Sequence, residues 1–139
     1  MNNTKLTFIC ASIDDNHSIA SFLKDLNKKT GSQSLFEINL IFIDQNNRER
    51  SKFCKALYPN INYIHSNKLG LAYNRNIGLE NLKTDIYTFI DSDCKLDENY
   101  FEYLFNALEE TKEKNKILIY GKIVDNKTGN DLFKKWPKK

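Results

Sequence analysis

Asp91-Ser92-Asp93 follows directly on the apolar run 86–91 (IYTFID) and is the sharpest chemical feature of the sequence. Two carboxylates one residue apart at a strand end can share a hard cation. Mg2+ or Mn2+ takes oxygen ligands and keeps phosphate oxygens and waters as well. Such a cation would neutralise a diphosphate leaving group as its bond breaks. Asp-x-Asp is also an ordinary turn sequence, so its position after the fourth apolar run is what favours the functional reading. A second candidate is residues 67–78 (NKLGLAYNRNIG). Gly70 at a helix start lets backbone approach a ligand, and free helix N-terminal amides favour anions. Arg75 and Lys68 would add charge toward a phosphate, whereas a plain strand-to-helix turn would leave Arg75 solvated. The chain has no GxGxxG and no GxxxxGK[ST], which disfavours dinucleotide-binding and P-loop chemistry.

These residues are positioned by alternating apolar runs and helical patterns. Residues 6–13 (LTFICASI), 36–44 (FEINLIFID), 61–65, 86–91 and 117–124 (ILIYGKIV) read as five strands. The fourth lacks alternation, which predicts burial on both faces. Ile19, Phe22, Leu23 and Leu26 recur at helical spacing, and Gly31 stops that helix after Lys28 and Lys29. Further helices are expected over 48–57, closed by Pro59, over 71–82, and over 97–114, with Tyr100, Tyr103, Leu104, Ala107 and Leu108 on one face. Five strands separated by four helical stretches predict an α/β fold, a Rossmann-like three-layer α/β/α sandwich. Its sheet should be mostly parallel, with right-handed crossovers.

Ligands of open parallel sheets bind outside the carboxyl ends of the strands. There the sequence places Ser12, Asp14 and Asp15, then Asp44, Gln45, Asn46 and Asn47, then His65, Ser66 and Asn67, and finally Asp91-Ser92-Asp93-Cys94. One edge of the sheet should therefore be a polar, partly acidic rim. Asp15 or Asn16 also suits the cap of the next helix. His65 is better read as a hydrogen-bonded structural imidazole than as an acid or base.

With 139 residues there is room for one domain, and the 28% charged residues fit an ordinary soluble protein. Net charge is +3, but without Lys134, Lys135, Lys138 and Lys139 the body is near neutral, so nucleic acid is not an expected partner. Cys10, Cys54 and Cys94 are odd in number and widely spaced, which points to reduced thiols in a cytoplasmic setting. No secretory signal and no membrane-spanning stretch is evident.

The segments LTFICASIDDN, INLIFIDQN, NKLGLAYNRNIGLE and DIYTFIDSDCKLDENYFEYL, in this order, resemble the N-terminal half of a family 2 glycosyltransferase of the GT-A fold. The resemblance runs over roughly residues 5–124, and it implies a nucleotide-sugar site. Ala11, Ser12 and Ile13 would line the nucleotide, and Asp44 with Gln45 would contact the base. Gly70 and Arg75 would lie near the sugar-nucleotide, Asp91 near the ribose or sugar, and Asp93, with Asp91, on Mn2+ or Mg2+. The reaction implied is transfer of a sugar from a nucleoside-diphosphate sugar, a UDP-sugar first, to a glycan or lipid-linked acceptor in polysaccharide biosynthesis, with inversion.

Three features depart from the family pattern: Gln45 stands where many members carry an acid, Cys94 does likewise, and the acceptor half with its general base does not follow the fifth strand. The catalytic base is therefore unassigned. Residues 1–124 read as the donor-binding domain and 125–139 as a basic tail before a truncation point. That tail (FKKWPKK at its end) could rest on the inner face of an anionic membrane. Apolar surface left open by truncation would favour self-association. The competing readings are an inactive relative that only binds nucleotide, and a phospho-acceptor receiver domain. The latter fits poorly, with His65 and Asp125 where an acid and a lysine are wanted.

Overall fold

A computed structural model describes residues 3–115, 117–119, 124, 125 and 127–130. The chain divides into two compact units, Met1–Tyr103 and Leu104–Lys139. In chain order the elements are β1 (Thr4–Ser12), α1 (Asn16–Gly31), β2 (Phe36–Asp44), α2 (Ser51–Leu57), β3 (Ile61–His65), α3 (Leu71–Glu80), β4 (Ile86–Phe89) and α4 (Tyr100–Thr111). Four strands form one sheet in the order β3-β2-β1-β4, every pair parallel. The fold is the expected α/β arrangement. No helix among the described residues is long and apolar enough to cross a membrane.

This strand order follows from the chain path. From β1 the chain winds outward through β2 to β3, then returns over both to lay β4 on the far side of β1. With right-handed crossovers, the first two helices lie on one face and α3 on the other. The α3 face is an aliphatic cluster of Ile9, Ala11, Ile41 and Ile43, packed by Ile64, Ile77, Leu79 and Leu82. Gly78 is where α3 comes closest to the sheet. A Cβ there would stand 2.4 Å from Ile9 Cγ2 and 3.2 Å from Ile43 Cδ1. Alternate residues of β1 and β2, among them Leu6, Phe8, Leu40 and Phe42, are fully buried on the opposite side. There Phe101, in the first turn of α4, packs edge-on against Phe8 and at a tilt against Phe36.

Helix α1 buries Ile19, Phe22, Leu23 and Leu26, the four residues its spacing selects. Asp15 caps it, its Oδ1 accepting from Ser18 N at 2.8 Å. That bond holds the exposed Asp15 carboxyl below its ordinary range.

Several expectations need correction. Strand β4 is not buried on both faces, since Tyr87 and Phe89 are 44% and 39% exposed. Among the described residues β4 pairs only with β1, and α3 lies over β1 and β2, so that side of β4 is open. No fifth strand joins the described sheet: residues 117–119 are irregular, and 120–123 lie outside the described residues. The helix expected over 48–57 starts only at Ser51, because Arg50 is drawn into a buried side-chain cluster. In α4 it is Phe101 that is buried, while Tyr103 is 64% exposed. The aromatic and basic end of the tail, 131–139, lies outside the described residues.

In the second unit, α4 ends at Thr111, whose hydroxyl donates to Ala107 O at 2.8 Å. A turn follows in which Asp125 Oδ1 accepts from Lys127 N and Thr128 N.

Candidate functional site

The sequence direction in the sheet reverses at β1, with β2 on one side and β4 on the other. Such a switch point opens a crevice at the carboxyl ends of the strands, because the following loops diverge to opposite faces. An open crevice of about 340 Å³ lies there, lined by Ala11, Ser12, Ile13 and Asp14 after β1, Gln45 after β2, Leu71 of α3, and Asp91, Ser92 and Asp93 after β4. Of the residues nominated from sequence, it gathers Ala11, Ser12, Ile13, Gln45, Asp91 and Asp93. The same strand order excludes the receiver reading, whose β1 would lie between β2 and β3.

A polar clasp holds the tips of β1 and β4 together. Ser92 Oγ donates to Asp14 Oδ2, Ser12 Oγ meets Ser92 Oγ at 2.7 Å, and Asp14 N donates to Ser12 Oγ at 3.1 Å. Ser92 is buried, while Asp91 and Asp93 on either side of it are exposed. The middle residue of the Asp-Ser-Asp motif thus anchors the loop and turns its two carboxylates outward. Nothing in the sequence marks this role of Ser92, and Asp14, expected free on the rim, is held in the clasp.

Asp44 is not on the crevice surface. Its side chain is fully buried, and Arg50 grips both oxygens, Nε to Oδ2 and Nη2 to Oδ1, each at 2.9 Å. Tyr63 OH donates to Oδ2 and Asn46 N to Oδ1 at 3.1 Å. Arg50 also donates to Asn16 Oδ1 at 2.9 Å and Asp14 O at 2.7 Å, so the cluster ties the tips of β1, β2 and β3. Burial, then the bond to Asp44, pushes the Tyr63 phenol well up, so it stays a proton donor. Arg50 and Tyr63 went unnoticed in the sequence, although a carboxylate closing an apolar strand requires a buried partner.

Gln45, the next residue, is 9% exposed. Its Oε1 accepts from Gly70 N at 3.0 Å, fastening the entry of α3 to the tip of β2. Gly70 has φ 136°, a conformation only glycine takes without strain. Buried Asn74 completes the loop, its Nδ2 donating to Lys68 O and Gly70 O, both at 2.8 Å. Lys68 is turned onto the Tyr73 ring, 4.1 Å from its centroid. Arg75 does face the acidic motif: its Nη2 donates to Asp91 Oδ1 at 3.0 Å while its guanidinium lies over Phe89. His65 Nε2 donates to Asn46 O at 2.7 Å, a structural bond.

One oxygen each from Asp91 and Asp93, with Cys94 Sγ, lie within 4.8 Å of one another. Burial, then the Asp93 and Asp91 charges, pushes the Cys94 thiol up, and it donates weakly to Asp93 Oδ1 at 3.6 Å. A neutral thiol is a poor ligand for a hard cation, whereas the two exposed carboxylates suit Mg2+ or Mn2+. A second, larger cleft of about 630 Å³ lies on the far side of Arg50, between the start of α1 and the loop before α2.

A family profile described as glycosyl transferase family 2 matches residues 12–137. The chain belongs to glycosyl transferase family 2. Glycosyltransferase GlyA of Streptococcus pneumoniae serotype 4 is 26% identical over 98 residues, covering 68% of this chain and 14% of GlyA. A crystal structure of S. aureus TarS superposes with a TM-score of 0.61 at 19% identity, covering 78% of this chain and 33% of that one. That likeness places the fold in the GT-A class. The family 2 chain thus spans a third or less of the length of either relative. As a glycosyl transferase domain it presents at its switch point the crevice and the paired acids just described.

Proposed function

We propose that this family 2 domain binds a nucleoside-diphosphate sugar in the crevice between the tips of β1, β2 and β4, as the donor-binding part of a glycosyltransferase. The observation that carries the reading is the convergence, at one switch point, of Ala11–Ile13 backbone, Gln45 and the outward-turned Asp91 and Asp93. Ala11, Ser12 and Ile13 form the floor beneath the nucleoside. Asp93 and Asp91 would hold Mn2+ or Mg2+ as oxygen ligands. When bound, the cation supplies positive charge that offsets the charge developing on the diphosphate leaving group.

Arg75 pairs with Asp91 across the mouth of the crevice and, once Asp91 turns to a cation, is free to meet a phosphate oxygen. Gly70 brings the α3 entry against the crevice without a side chain. Asp44 acts at one remove: by holding Arg50 it fixes the tip of β2 that carries Gln45. The acceptor we propose is a glycan or a lipid-linked saccharide met at the cytoplasmic face of the membrane, with inversion at the anomeric carbon. The base that deprotonates its hydroxyl is assigned to no residue of this crevice.

Titration calorimetry of the chain with nucleoside diphosphates, with and without Mn2+, tests the reading. Metal-linked binding is expected, abolished in Asp93→Ala without change in melting temperature, because Asp93 is exposed. Absence of metal-linked binding to every nucleoside diphosphate would overturn it.

A further inference from the structure

Residues 91–94, just past β4, form a tight turn in which Cys94 N donates to Asp91 O at 3.0 Å. Ser92 is drawn inward by Ser12 and Asp14, and the other three side chains come together. One oxygen each of Asp91 and Asp93 and Cys94 Sγ lie within 4.8 Å of one another, a mixed set of two hard donors and one soft. Cys94 Sγ stands 3.6 Å from Asp93 Oδ1. Around a tetrahedral Zn2+, with Zn–S about 2.3 Å and Zn–O about 2.0 Å, neighbouring sulfur and oxygen donors are about 3.5 Å apart. The thiol and Asp93 already keep that separation. The crevice lined by Asp91 and Asp93 asks for a ligand on independent grounds. In its wall Gln45, nine-tenths buried, has amide donors on Nε2 that meet no protein acceptor among the described residues. Buried donors without a partner are costly, so oxygen acceptors, such as those around a hydrated or phosphate-bearing cation, belong there.

We infer that Cys94 is a metal-selecting residue: with Asp91 and Asp93 it forms a three-donor site for a thiophilic divalent ion, Zn2+ above all, and widens the gap to Mn2+ and Mg2+. This rests on the two acids being metal ligands. Three protein donors leave a fourth tetrahedral position open to water or a phosphate oxygen, the arrangement of a catalytic rather than a structural zinc site. On coordination the thiol proton passes to solvent water and the sulfur binds as thiolate. A soft donor strengthens the hold on Zn2+ or Cd2+ and adds little for Mg2+, whose shell is oxygen throughout. Zn2+ outranks Mn2+ at most sites, so the telling quantity is the part of that gap that Cys94 supplies. An acid at 94 would complete an all-oxygen set and move the preference back toward Mn2+.

The probe is Cd2+, which gives a sulfur-to-metal charge-transfer band in the ultraviolet only where a thiolate is a ligand. One equivalent added to the whole chain should produce the band. Cys94→Ser, which keeps the buried Cys10 and Cys54, should not show it. Competition between Cd2+ and Mn2+ should move toward Mn2+ by about tenfold or more in Cys94→Ser, and further in Cys94→Asp. No band in the natural chain, a band that survives in Cys94→Ser, or a preference that moves by less than about twofold would defeat the inference. Nucleoside diphosphate binding measured alongside keeps the two readings apart. If diphosphates bind with Mn2+ and the Cd2+ band is missing, Cys94 is no ligand and the donor site stands. If the band forms and no nucleoside diphosphate binds with Mn2+, Zn2+ or Cd2+, the metal site stands and the donor-site reading fails.

Discussion

Replacing Arg50 by alanine removes the guanidinium that grips both oxygens of Asp44 and also bonds Asn16 and Asp14. Asp44 would keep only Tyr63 OH and Asn46 N, with its carboxylate still fully buried. Removing one partner of a buried ion pair costs about 3–5 kcal/mol, because the remaining charge is left uncompensated. For a chain of this size each kcal/mol moves the melting point by about 3–5 °C, so a fall of about 9–25 °C is expected. Asp44→Asn should also destabilise, since it sets an amide against two guanidinium donors. In Asp44→Asn/Arg50→Met no buried charge remains, and the loss should be smaller than the sum of the two single losses by about 2 kcal/mol. Urea unfolding of the four proteins gives these numbers directly. A loss under about 1 kcal/mol in Arg50→Ala would refute the reasoning, as would additivity in the double variant. So would Asp44→Asn that melts normally yet no longer binds nucleotide, since Asp44 would then be a ligand contact.

Two further outcomes follow from the packing and the thiols. Gly78→Ala should lower the urea midpoint, with a stability loss of about 1–3 kcal/mol, despite the better helix propensity of alanine, because its methyl meets Ile9 Cγ2. Combined with Ile9→Ala the penalty should vanish, and an unchanged midpoint in the single variant would contradict the close approach of α3. Burial, helped by the Asp44 charge, pushes the Cys54 thiol from 9.0 up to about 11. The folded state therefore holds a proton the unfolded chain releases, so this stability is whole below pH 9 and is lost as pH rises to about 11. The melting temperature should drop over that window less steeply in Cys54→Ala, and parallel slopes would exclude the thiol as a source.

Periodic apolar residues made much of the scaffold legible. The four buried residues of α1, its Asp15 cap and the apolar runs of β1 and β2 all follow from spacing and burial alone. The crevice was legible too, because strand ends can be read wherever apolar runs stop. What failed has a common cause: one-dimensional patterns do not record neighbours. The run at β4 gave no sign that only β1 would flank it, so Tyr87 and Phe89 were wrongly expected to be buried. Asp44 was taken for a rim residue because nothing local distinguishes an exposed strand-end acid from one met by an arginine six residues on and a tyrosine on the next strand. Ser92 was passed over because its partner Ser12 lies 80 residues away.

The inward-facing Ser92 divides labour within three residues. Fastening is done by the middle side chain, so the two flanking ones, whose contacts are the exposed pair of Asp91 with Arg75 and the weak bond from Cys94 to Asp93, can be exchanged at little cost to the scaffold. The tip of β4 behaves as a mount with replaceable fittings. Histidine or asparagine installed at 91 or 93 should change which ion the protein prefers while leaving its folding untouched, whereas any change at 92 should loosen both fittings together.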